Sequence, residues 1–206
     1  MADRFPLRAL CLLLCLLGWP LSAAAATPQR IISLTPHLTE LRYAIGAGDR
    51  MVATAEASDS PPEVAPLPRV ANYRSINLEA LLAQKPDLVV AWRSAQSRML
   101  APVEKLGIPV FYSEPTDFAS LADEMRSLGR LLGTRQKADQ QADAYLARLN
   151  ALKLRYGKPK RVSVFYQLWY PPLTSVNDST WPGHAIRLCG GRNIMADASS
   201  PYPQVG

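Results

Sequence analysis

Two short apolar runs constrain this chain more than any other feature. Residues 30–34 (RIISL) and 87–92 (DLVVAW) are rich in Ile, Leu and Val and stop abruptly, the first at Pro36 and the second at Arg93. Runs of this length and composition, bounded by breakers, read as strands buried on both faces. Helical spacing follows the first: Thr35 stands at a cap position ahead of Leu38, Leu41 and Ile45, and Gly46 and Gly48 close the segment. Residues 51–55 read as a second short strand, and residues 58–68, with four prolines, as loop. Asn77 caps a short helix carrying Leu78, Leu81 and Leu82, which Pro86 stops. A helix over 97–106 ends at Gly107, a strand covers 108–112, and a helix over 117–132 ends before Gly133. Strands alternating with helices imply a parallel sheet covered on both faces. Ligands of such sheets sit beyond the carboxyl ends of the strands. The segments to inspect are therefore Pro36, 57–62, 92–97 and 113–115.

A different pattern begins at Thr134. Residues 136–156 contain neither proline nor glycine, and Ala138, Ala142, Tyr145, Leu149, Leu152 and Tyr156 share one face. A helix of that length spans about 31 Å at 1.5 Å per residue. It suits a connection between two lobes, or a long helix packed on one domain. Beyond residues 158–160, a strand over 162–168, a polar loop over 170–178 and a helix over 186–189 before Gly190-Gly191 begin a second lobe. One strand and one short helix do not bury a core.

Residues 1–26 have the pattern of a secretory signal. Arg4 and Arg8 form a positive start, residues 9–17 an apolar run, and Ala24-Ala25-Ala26 a small-residue site with cleavage expected after Ala26. The run falls short of the roughly 20 apolar residues that span a bilayer. Cys15 follows Leu13 and Leu14 and lacks the small residues that precede a lipidated cysteine. Cleavage would remove Cys11 and Cys15 and leave Cys189 alone, as a free thiol or as half of a disulfide. It would also remove Asp3, Arg4 and Arg8, lowering the net charge from +6 to +5. No Lys/Arg run gathers on one segment, which argues against a nucleic-acid partner.

The order of segments resembles the substrate-binding proteins that serve ABC importers of metal chelates and vitamins. The motifs that carry the likeness begin with Ser33-Leu34-Thr35-Pro36, Thr39-Glu40-Leu41 and Ser58-Asp59 before Pro61-Pro62. Asn77-Leu78-Glu79, residues 85–93 (KPDLVVAWR) and residues 106–110 (LGIPV) follow. Later come Pro171-Pro172 with Thr174-Ser175, Cys189-Gly190-Gly191 with Asn193-Ile194, and residues 201–205. Ala91-Trp92-Arg93 and residues 201–205 are the most particular, and they point to the corrinoid-binding branch of the family.

The resemblance implies an α/β fold of two Rossmann-like lobes joined by one long rigid helix. The signal would cover 1–26, an N-terminal lobe 27–133, the linking helix 134–157 and the start of a C-terminal lobe 158–206. Family members continue further, so the chain is expected to be a C-terminal truncation, with the disulfide partner of Cys189 beyond it. The implied ligand is cobalamin (vitamin B12) or a related corrinoid, carried as cargo with no cofactor, and the implied partner is an ABC transporter permease. The implied compartment is the periplasm. Ligand-binding positions fall on Pro36, Ala57, Ser58, Tyr73, Trp92, Leu173 and Tyr202. Ala57 stands where the family has tyrosine, Tyr73 and Tyr202 where it has tryptophan, and Leu173 where it has phenylalanine. Glu79 matches a glutamate that docks on permease arginines; its other reading is a favourable charge at a helix start.

A corrin needs flat apolar walls and a few hydrogen bonds. Trp92, Tyr73, Trp169, Tyr170 and Tyr202 can supply walls, and each could equally pack in a core or anchor a loop. The chain's only histidines, His37 and His184, fall short of the three His plus carboxylate that a zinc or manganese carrier needs, so no metal-ion site is expected. Haem needs only one His or Tyr, so a haem or ferric-siderophore carrier stands as the alternative. A non-functional remnant is a further alternative. No nucleophile, phosphate-loop or dinucleotide motif is present. An enzyme on a Rossmann-like sheet is therefore the weaker reading, and no catalytic residue is assigned.

Overall fold

The structure, a computed structural model, describes residues 26–158 and 162–206. The expected signal at 1–26 lies outside these residues apart from Ala26, as do Pro159 and Lys160 of the expected break between lobes.

Five strands form one parallel sheet: β1 (Ile31–Ser33), β2 (Met51–Ala55), β3 (Arg69–Ala71), β4 (Leu88–Trp92) and β5 (Val110–Ser113). Their spatial order is β3-β2-β1-β4-β5. Alternate residues along a strand face opposite sides, and the core divides accordingly. Ile31, Leu88 and Val90 pack with Leu38, Leu41, Met125 and Leu128. Ile32, Ala53, Val89 and Ala91 pack with Leu81, Leu100 and Val103. Helices cover both faces, so the central strands are largely apolar, with Ser33 of β1 and Thr54 of β2 as buried polar exceptions.

On the first face lie α1 (Pro36–Ala44), α4 (Phe118–Leu131) and α5 (Arg135–Tyr156); on the second lie α2 (Leu78–Ala83) and α3 (Arg93–Lys105). Pro36 occupies the first turn of α1, where its missing N–H is no loss. Asn77 caps α2 by accepting from the Ala80 N–H, and Asp117 caps α4 in a reciprocal pair with Ser120. α4 and α5 approach closely because Gly129 has no side chain: a Cβ there would meet the Ala138 methyl.

Several boundaries differ from the sequence expectation. α3 begins at Arg93 rather than 97, because side-chain acceptors satisfy the N–H groups at its start, one from Gln96 within the helix and one from Glu114 beyond it. The Trp92 N–H donates to Gln96 Oε1 (2.9 Å) and the Ser94 N–H to Glu114 Oε2 (2.9 Å). β3 lies in a stretch the pattern had left unassigned; the Thr54 N–H donates to the Pro68 carbonyl as the pairing begins. The strand expected over 162–168 is reduced to β6 (Ser163–Val164), since its partner β7 (Arg192–Asn193) offers only two residues. The last helix, α6 (Trp181–Leu188), starts five residues early behind a Thr180 cap.

α5 runs from Arg135 to Tyr156 without a break. Its first half is anchored by buried Ala138 and Ala142, whereas Leu152, Leu154 and Tyr156 are exposed. Arg42 of α1 is fully buried and donates only a long hydrogen bond, 3.4 Å, to the Ala47 carbonyl. Desolvation and the nearby Arg50 charge push its pKa down to about 9.

Candidate ligand-binding site

All five strands of the main sheet are parallel, so their carboxyl ends share one edge. Tyr73 follows β3, Ala57 and Ser58 follow β2, Pro36 opens the helix after β1, and Trp92 ends β4. β1 and β4 are neighbours at which the chain turns from building one half of the sheet to building the other. Crevices open at such switch points. Here a cleft of about 580 Å³ is lined by His37, Glu40 and Leu41 of α1, Trp92, Pro115, Leu121 of α4 and Trp181 of α6.

The cleft's walls are set by a few specific contacts. Trp92 is 39% exposed, and its ring stands edge-to-face with His37, centroids 5.8 Å apart. Gln96 fixes the strand ends around them: its Nε2 donates to the Leu34 carbonyl (3.0 Å), while its Oε1 accepts from Trp92. Trp181 comes from the second sheet's region and packs edge-on against Phe118 of α4, centroids 5.1 Å apart. That contact gives the cleft a wall from each part of the chain.

The polar lining is sparse. His37 Nε2 lies 3.5 Å from Ser113 Oγ at the end of β5. Desolvation lowers the His37 pKa. Its place in the first turn of α1 works in the same direction, because the helix N-terminus disfavours a cation. The imidazole is therefore neutral at pH 7. Behind Ser113, the Glu124 carboxyl is pushed up by desolvation and by the Glu114 charge, an effect partly offset by a hydrogen bond from Ser113. Among the described residues, no group of three or more His, Cys, Asp or Glu is placed to hold a metal ion.

The expected ligand residues divide into groups. Pro36 and Trp92 lie at the switch point. Ala57 is exposed beside them on the β2 loop, but Ser58 is only 1% exposed and points inward, its hydroxyl 3.2 Å from Thr39 Oγ1. Tyr73 is 84% exposed at the sheet edge, with the Arg74 guanidinium 5.0 Å from its ring centre. Leu173 and Tyr202 belong to the second region, where backbone bonds tie their segments together. The Val205 N–H donates to the Leu173 carbonyl, and the Ser175 N–H to the Pro203 carbonyl (both 2.9 Å). Trp169, Tyr170 and the half-exposed Tyr202 stand on the same pair of segments. Glu79 is exposed in the first turn of α2. Cys189 is exposed and forms no disulfide among the described residues.

Sequence reasoning did not single out Gln96 or Arg69, and read Thr39 only as part of a family motif. Arg69 donates to the carbonyls of Ala55 (3.2 Å), Ser58 (2.7 Å) and Val64 (3.2 Å), and so holds the β2 loop in place. A basic residue beginning a short apolar run is a weak signal; only the fold brings those carbonyls around it.

Residues 31–206 match the family described as periplasmic binding protein. The chain belongs to that family. A vitamin B12-binding protein of Vibrio parahaemolyticus is 36% identical over 197 residues, which are 95% of this chain and 72% of that protein. Among solved structures, the periplasmic vitamin B12 binding protein BtuF of Vibrio cholerae is 39% identical with a TM-score of 0.77. That match covers 87% of this chain and 71% of BtuF. The periplasmic heme binding protein HutB of the same species has a TM-score of 0.76 at 23% identity, over 86% of this chain and 70% of HutB, and so shares the fold alone. No described helix of this family member is long and apolar enough to cross a membrane.

Proposed function

We propose that this binding protein captures cobalamin in the periplasm and presents it to the permease of an ABC transporter. The observation that carries the reading is the 39% identity to a vitamin B12 binder of the same fold. The cleft agrees chemically: a flat macrocycle with an amide fringe suits apolar and aromatic walls with few polar groups. In this reading residues 27–133 form one lobe, 134–157 the rigid connection and 158–206 the start of the other. Residues 1–26 direct export and are cleaved off. Pro36, Ala57, Tyr73 and Trp92 line one side of the ligand, and Leu173 and Tyr202 the other, while Ser58 supports its loop from behind. Glu79 meets the permease, and Cys189 pairs with a cysteine outside this chain. The ligand leaves chemically unchanged.

Haem is the second reading, favoured by one observation: a neutral histidine, His37, on the cleft wall. Dialysis of the protein against equal concentrations of cyanocobalamin and haemin separates the two. Cobalamin should be retained at one per chain. Trp92→Ala should weaken retention by about 1 kcal/mol, the worth of one ring contact. Preferential retention of haemin would replace the proposal with the alternative.

A further inference from the structure

The His37 side chain carries a consequence for which corrinoids are held most tightly. Three observations converge on it. First, His37 lines the cleft beside Trp92, so its ring stands where the flat face of a macrocycle would rest. Second, Nε2 is directed at Ser113 Oγ, and Ser113 in turn reaches the Glu124 carboxyl. With its proton on Nε2, the ring donates to Ser113 and keeps a free lone pair on Nδ1, for which no partner exists among the described residues. Metal-bound histidines characteristically have this outer support, a hydroxyl or carboxylate that fixes the tautomer and raises the basicity of the other nitrogen. Third, among the described residues no group of three or more His, Cys, Asp or Glu could hold a bare ion. A single imidazole suits only a metal whose equatorial positions are already filled, which is the situation in a corrin.

We infer that His37 is an axial ligand for the cobalt of corrinoids that carry an exchangeable water, bonding through Nδ1 with Ser113 and Glu124 as positioning residues. The inference rests on the proposed corrinoid function and adds a subclass of cargo to it. In the step, the cobalt–water bond breaks, a cobalt–nitrogen bond forms and neutral water leaves. Cobalt stays trivalent, and no net charge is gained because one neutral donor replaces another. A corrinoid with cyanide in that position does not exchange it and is held by the walls alone.

The test compares aquacobalamin with cyanocobalamin on the wild-type protein, His37→Ala and His37→Phe, reading retention by dialysis and the visible corrin absorption of the retained complex. His37→Phe keeps a ring against Trp92 and lacks the nitrogen, so it separates coordination from packing. Wild type should shift the aquacobalamin bands on binding and leave the cyanocobalamin bands in place. Both variants should abolish the shift and weaken aquacobalamin retention roughly tenfold or more beyond any change in cyanocobalamin retention, which reports the altered wall alone. Retained aquacobalamin with the same spectrum in wild type and both variants would overturn the assignment while leaving corrinoid capture intact. Failure of the wild type to retain either corrinoid would overturn both.

Discussion

Thr39 never faces the cleft, yet it holds one side of it. Its hydroxyl lies 3.0 Å from Ser33 Oγ, 2.9 Å from Thr54 Oγ1 and 3.2 Å from Ser58 Oγ, all buried. This hub joins the ends of β1 and β2 to the loop that presents Ala57. Thr39→Val preserves the shape and removes the hub, stranding polar groups that have no water to turn to. It should lower the unfolding free energy by about 1–3 kcal/mol, read from denaturant melts. Glu124 makes a prediction of opposite character. Its pKa is raised in the fold by desolvation and by Glu114. Its contribution to stability is therefore fully present below the pKa of an unfolded glutamate and is lost as pH rises through the folded value. Glu124→Gln removes that dependence. The variant should gain stability relative to wild type between pH 4 and pH 7. A stability difference that is flat across this range would show that the carboxyl is well solvated.

At the scale of elements, the tightest constraint is the contact of α4 with α5. Gly129→Val would drive a branched side chain into Ala138, whose methyl sits where even a Cβ would go. Overpacking of this kind costs about 1–3 kcal/mol, and the thermal midpoint should fall accordingly. The sheet was legible in the sequence where burial on both faces made the pattern continuous, as at β1, β2 and β4. α4 and α5 were legible from their caps and from the absence of breakers. β3 was not, because a three-residue strand carries too little pattern to separate it from the proline-rich loop before it. Nor was the start of α3, since Glu114 reaches its first turn only after the chain has folded. The cleft divides in the same way. Trp92 and the opening turn of α1 follow from their place at strand ends. Trp181 faces them only through its contact with Phe118, 63 residues earlier in the chain, which no local pattern encodes.

For the whole molecule, capture and delivery should be separable. Glu79 is exposed in the first turn of α2, on a surface whose reversal in charge leaves the core untouched. Glu79→Arg should keep the thermal midpoint and the cobalamin affinity but lose binding to the permease, because like charges meeting at an interface cost several kcal/mol. Unimpaired complex formation in a pull-down with the transporter would reduce Glu79 to a helix-start residue. Capture itself rests on a direct measurement, calorimetric titration of the purified protein with cyanocobalamin. A one-to-one isotherm with a Kd of about 1 μM or tighter, worth about −8 kcal/mol, is the predicted result. No heat and no retained cobalamin, with a folded protein confirmed by its melt, would contradict the assignment.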